Sequence, residues 1–155
     1  MIMNKLFQLG TAGILSFSLS TTAIAQGNIS SEDAIEYRHS IMEVIVWNFK
    51  PMVAMVKGKI PFDAQVFANR AANVAFLSQM PLEGFIPGSD KGDTEAKPEI
   101  WTNWDDFKAK MIEFQEESAK LAEVAKTATT VKEITPQFAK TGEACKGCHK
   151  KYKED

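Results

Sequence analysis

Cysteine and histidine are scarce, with two of each in 155 residues. Two thiols exclude a disulfide-stapled scaffold. A structural zinc site takes four ligands at paired spacing, and His39 is the only Cys or His outside the last eleven positions. An excess of charge of one sign is also missing: 18 basic residues face 20 acidic ones, for a formal net charge of −2. A nucleic-acid binder would show a basic patch, so no nucleic-acid partner is expected. No stretch alternates apolar and polar residues with the strand period, and no segment repeats itself, which argues against a sheet or a solenoid. Long apolar runs are lacking too. The longest, residues 6–19, is interrupted by Gln8, Gly10, Thr11, Gly13, Ser16 and Ser18, too short and too mixed for a permanent membrane anchor.

The two cysteines fall together, in Cys145-Lys146-Gly147-Cys148-His149. This C-x-x-C-H form attaches haem covalently. Each thiol adds across one haem vinyl group to give a thioether, two intervening residues span the pair of vinyls, and the histidine that follows reaches the iron. C-x-x-C alone would also suit a redox dithiol or half a zinc site. The redox motif sits in a βαβ pattern, absent here, and a disulfide across so small a loop would stabilise little. One haem c is therefore expected, bound through Cys145 and Cys148, with His149 as iron ligand. The other axial position then decides the function.

Lys5, the apolar run and Thr21-Thr22-Ala23-Ile24-Ala25 read as a secretory signal peptide, residues 1–25, with cleavage after Ala25. The remaining 26–155 has the length of one domain. Export fits the chemistry, because thioether attachment of haem takes place in the bacterial periplasm. A periplasmic protein without a stable anchor is expected. Lys146, Lys150, Lys151 and Lys153 crowd the haem motif. Such a run is usually a solvated face; the alternative is a docking rim for an acidic redox partner, acting on association rate.

The rest of the chain reads as helix. Ser31 is placed as a cap, followed by Glu32 and Asp33 and then an apolar stripe from Ile35 to Val56 at steps of three and four. Pro51 predicts a kink or break in it, and Gly58 ends it. Pro61-Phe62-Asp63 opens a second helix, expected to bury Phe62, Val66, Phe67, Val74 and Leu77 and to end near Met80-Pro81. A long connection, 82–103, holds a Pro87-Gly88 turn. A third helix from Trp104 buries Phe107, Met111, Phe114, Leu121 and Val124, with Ser118 between. Thr130-Val131-Lys132-Glu133 has the capping-box form and starts a fourth helix there or at Pro136. Phe138, Cys145, Cys148 and Tyr152 fall near one face of it. The fold class predicted is all-α, an antiparallel four-helix bundle with haem between helices.

Opposite His149, the first helix offers His39 and Met42. Met42 lies on the apolar face, as core filling, as a bulky lid over open iron or as a sulfur ligand. His39 lies one position off that face. Arg38 suits a haem propionate, since its fork of N–H donors matches a carboxylate.

These elements together resemble cytochrome c′, the class II c-type cytochromes. The resemblance spans 26–155 and rests on Glu32-Asp33-Ala34-Ile35-Glu36-Tyr37-Arg38, Lys57-Gly58, Pro61-Phe62-Asp63, Phe85-Ile86-Pro87-Gly88, Lys97-Pro98-Glu99-Ile100-Trp101 and the C-terminal motif. It implies a four-helix bundle, usually a homodimer through its first two helices, with five-coordinate iron. It implies that Arg38 contacts a propionate, that His39 stands where glutamine is common, and that one of Asp93, Thr94 or Glu95 approaches the haem. Lys153 stands where the family often has arginine. Low-spin relatives ligate iron through a methionine matching Met42, so the coordination number stays open, with five favoured. The function expected is binding of small gases (NO, CO), single-electron transfer, or both. The alternative is a six-coordinate electron carrier with Met42 as distal ligand. Peroxidase chemistry would need Arg38 and His39 to point inward together, and no enzyme activity is expected.

Overall fold

The computed structural model describes residues 29–154; the proposed signal peptide lies outside the described residues. Four long helices, α1 (Ser31–Val56), α2 (Ala64–Leu77), α4 (Trp104–Ala125) and α5 (Val131–Tyr152), form the antiparallel bundle, and a short α3 (Glu99–Thr102) lies in the long connection. Among the described residues no helix is long and apolar enough to cross a membrane.

The helix ends follow local chemistry. Ser30, not Ser31, caps α1: its Oγ accepts from the Asp33 N–H at 3.0 Å, and the Asp33 carboxylate accepts from the Ser30 N–H at 3.3 Å. Reciprocal satisfaction of two orphan donors needs the residue three before Asp33, which is Ser30. Of the kink or break expected at Pro51, the break does not occur; α1 continues through it. Proline withdraws one bond, from the Trp47 carbonyl, and Trp47 lies on the exposed side of α1, at 74%. Beyond Lys57, Gly58 adopts φ +66°. Its N–H reaches the Met55 carbonyl and the Lys59 N–H reaches that of Ala54, the paired closure that a left-handed glycine permits.

Asp63 caps α2 through the Val66 N–H at 2.9 Å. The buried stripe is Phe67, Ala71 and Val74. Val66, expected inside, is 37% exposed, because it sits one position off that three-and-four stripe; Phe62 and Leu77 are half-buried. In α4 the stripe is Phe107, Met111, Phe114, Ser118, Leu121 and Ala125. Four residues beyond Leu121 the face returns at Ala125, so Val124 is only half-buried. The Glu133 carboxylate accepts from the Thr129 and Thr130 N–H groups at 2.9 Å each, and α5 starts at Val131, with Pro136 inside it.

The core has two parts. Met52, Phe67, Ala71, Val74, Leu121 and Ile134 fill one end between all four long helices. Ile100, Phe107, Met111 and Tyr152 form a second cluster under the long connection. Met42 packs against both. Side chains of the size of Met52, Phe67 and Leu121 each contribute about 1.5–3 kcal/mol on full burial. None of these three lines the large cavity, so the packed end holds the helices while the other end stays open between them.

Candidate functional site

That opening is a cavity of about 920 Å³, bordered by α1, the long connection, α4 and α5. Every site residue singled out in the sequence borders it: Arg38, His39, Met42, Asp93, Thr94, Glu95, Cys145, Cys148 and His149.

On α5 the spacing i, i+3, i+4 brings Cys145, Cys148 and His149 to one side of the helix. Both thiols are free and half-buried. Burial pushes Cys145 up to about 11, with Cys148 adding to the rise. Burial likewise pushes Cys148 up to about 11. The sulfurs are therefore neutral thiols at physiological pH. His149 stands where the cavity meets a second, more open cleft of about 560 Å³, which Cys145, Lys146, Lys150 and Lys153 also line. Partial burial lowers the His149 pKa, Lys153 lowers it further, and Glu95 opposes them. The neutral imidazole, the form that ligates a metal, is favoured.

Across the cavity, Met42 is half-buried between the two apolar clusters. The His39 side chain is 70% exposed on the rim, with Nε2 3.8 Å from Glu43. Arg38 is 4% exposed and its guanidinium is turned toward the long connection. Nη1 donates to the Gly84 carbonyl at 3.0 Å and the Ser89 Oγ at 2.7 Å; Nη2 donates to the Ser89 carbonyl at 2.7 Å and the Thr94 Oγ1 at 2.8 Å. Arg38 and His39 thus do not converge on the cavity as a peroxidase pair would. Gly84 lets this approach happen: a Cβ there would stand 3.1 Å from the Arg38 Cβ and 3.1 Å from Tyr37 Cδ1.

The far end of the connection is stitched to α5. Lys153 pairs with Glu95 at 2.8 Å. The Glu154 N–H donates to the Glu95 carbonyl at 2.8 Å and the Lys97 N–H to the Tyr152 carbonyl at 3.0 Å, around an isolated antiparallel bridge between Ala96 and Lys153. The Tyr152 hydroxyl donates to Asp106 at 2.5 Å, which also takes Lys151 at 2.8 Å. Sequence reasoning placed neither Ser89 nor the Glu95–Lys153 pair. The readable signal for Ser89 was an arginine near the apolar face of α1 with no acidic residue at helical spacing behind it; such a buried cation needs neutral acceptors from elsewhere.

The donor set fits a covalently held haem. Two neutral thiols and a neutral imidazole stand on one wall, Met42 and apolar side chains such as Phe107, Met111 and Phe114 on the others. A site of this size and lining suits a large flat apolar cofactor. Cys145 and Cys148 would hold such a group, and His149 would supply its nitrogen ligand.

The Glu95–Lys153 pair makes a pH-dependent contribution. The Lys153 ammonium holds the Glu95 carboxyl below the usual glutamate range. A carboxyl lowered on folding contributes stability that is complete above its ordinary value and disappears as pH falls through the folded one. Lys153→Met keeps the aliphatic stem and removes the charge. It is expected to be slightly less stable than the parent at neutral pH in urea unfolding, with the gap closing as pH falls below the ordinary glutamate range and through the lowered Glu95 value; a gap unchanged across that range contradicts the pairing.

Comparison with known proteins gives a consistent result. The family model Cytochrome C′ matches residues 33–153. Cytochrome c′ of Rubrivivax gelatinosus is 46% identical over 123 residues, covering 79% of this chain and 95% of that one. The solved cytochrome c prime of Shewanella frigidimarina superposes with a TM-score of 0.78 at 54% identity, covering 81% of this chain and 98% of that one. A ferrous variant of cytochrome c prime from Alcaligenes xylosoxidans, solved with bound NO, superposes with a TM-score of 0.74 at 34% identity, covering 81% of this chain and 97% of that one. A family match from Asp33 to Lys153 takes in both walls of the cavity and the long connection between them: the chain belongs to the cytochrome c′ family, whose members bind haem c.

Proposed function

We propose that the chain is an exported, periplasmic haem protein with five-coordinate iron that binds NO and CO and also passes single electrons, without enzyme activity. In this reading Cys145 and Cys148 carry the haem, His149 ligates iron, and Met42 walls the opposite side as a lid. The observation that carries it is the apolar surround of the wall facing α5, where Met42 packs between both core clusters and His39 stands on the rim. NO and CO need little polar support, whereas water and anions do. The relative from Alcaligenes xylosoxidans, solved with bound NO, supports the gas-binding part. Electron transfer is supported by Lys146 and Lys150, both exposed, beside the opening at Cys145 and His149. They suit a transient docking rim for an acidic redox partner. A second reading, six-coordinate iron with the Met42 sulfur as ligand, follows from the same placement of Met42.

The two readings separate in the optical spectrum of the ferrous protein. A high-spin spectrum that shifts on adding CO or NO, and that Met42→Leu leaves high-spin, is expected. A low-spin spectrum indifferent to gas, converted to high-spin by Met42→Leu, would install Met42 as ligand.

A homodimer through α1 and α2 is part of the proposal. Val44 and Trp47 on α1, Val66 and Phe76 on α2 and Ile60 in the connection between them are exposed apolar side chains, available for burial in such a pair. Exposure of Ile45, Val46 and Phe49 would argue for pairing; Val46 is exposed, Phe49 is half-buried, and Ile45, at 5%, belongs to the core. The native mass of the purified holoprotein is expected to be twice that of a chain beginning at Gln26 with its one haem. A monomeric mass, or a chain retaining residues 1–25, contradicts the pairing or the export.

A further inference from the structure

Arg38 is buried with neutral partners only. Its two terminal nitrogens bond Gly84, Ser89 and Thr94, so one side chain holds the beginning, middle and end of an eleven-residue stretch. Phe85 and Trp101 lie over the guanidinium, with Cζ 4.7 Å and 5.6 Å from their ring centroids. Thr94 continues the chain of bonds: its Oγ1 also accepts from the Ala96 N–H at 3.1 Å, and Glu95 and Ala96 are those joined to Lys153. A path of bonds therefore runs from α1 through the segment 84–96 to the end of α5, with Phe85 and residues 93–96 bordering the cavity. Four of the five N–H donors of Arg38 are taken by it.

We propose that Arg38 is a positioning residue, which fixes the 84–96 strap along the border of the cavity and thereby sets Thr94 and Glu95 toward the space a haem would occupy. The planar fork is the reason an arginine is needed. It reaches acceptors on three separate parts of the strap at once, whereas a lysine ammonium is a single point. Ser89, fully buried with its Oγ also donating to the Ile86 carbonyl at 2.8 Å, is the acceptor around which the strap turns.

The test uses the holoprotein in three forms, parent, Arg38→Lys and Arg38→Gln, with amide hydrogen exchange of 84–96 and the midpoint potential as readouts. Exchange is measurable whatever gas or partner the haem takes, so its failure is distinct from failure of the functional reading. Both substitutions are expected to speed exchange across 84–96 by about ten-fold or more, the scale set by loss of one or two buried bonds, while α4 and α5 exchange as in the parent. Both are expected to move the potential in the same direction and to a similar extent, lysine giving no rescue. Parent-like exchange in Arg38→Lys overturns the proposal. So does a potential that moves in Arg38→Gln alone, the mark of charge without positioning, or one that moves in neither. Should the arginine variants fail to fold, Thr94→Val keeps the charge and removes one acceptor. Faster exchange confined to 93–96, with a potential shift, is expected of it; exchange there unchanged from the parent overturns the proposal.

Discussion

Three side chains on one helix have to face an unfilled space, and that requirement organises the molecule. Cys145, Cys148 and His149 share a side of α5 because of helical spacing. A helix that turned them toward a close-packed neighbour would leave no room for a macrocycle. The bundle meets the demand by dividing its interior. One end, with Met52, Phe67 and Leu121, is filled by side chains from all four long helices. At the other, α1 stands off from α4 and α5, and a cavity of about 920 Å³ remains. The filled end supplies the apolar burial that holds the open end in shape.

The open end is closed by polar chemistry as well as packing. The strap 84–96 carries two large apolar side chains, Phe85 and Ile86, and Phe85 packs on Trp101 and Phe107. The rest is held by Arg38 on one side and by Lys153 and the last turn of α5 on the other. The two cations act differently. Lys153 pairs with a carboxylate at the surface, where the interaction is screened and small. Arg38 is buried among neutral acceptors, where losing one leaves an uncompensated donor and costs more. The strap should therefore answer to the buried contact first.

Much of this could be read from the chain. The haem motif and the capping box at Thr130 and Glu133 follow from short-range rules and stand in the structure where those rules put them, and the four helical stripes do so apart from Val66 and Val124. Besides the continuation of α1 through Pro51, the misses are of two kinds. Some are one-residue errors of register: Ser30 caps in place of Ser31, and Ala125 rather than Val124 completes the α4 stripe. Hydrophobicity favours valine over alanine, but the period of the helix decides. The others are long-range. Ser89 lies 51 positions from Arg38 and Glu95 58 positions from Lys153, and no local pattern joins such partners. The resemblance to the family placed Asp93, Thr94 and Glu95 beside the haem as alternatives. The structure divides their work, with Thr94 facing Arg38 and Glu95 facing Lys153.

Everything proposed for the cavity depends on haem being joined to the chain through its two sulfurs. Extraction of the purified protein with acidified acetone, followed by the intact mass of the polypeptide, measures this directly. The account predicts that the porphyrin absorbance stays with the polypeptide, that the mass exceeds the chain's own by one haem, and that neither Cys145 nor Cys148 can be alkylated. A colourless polypeptide with both thiols open to alkylation would contradict it.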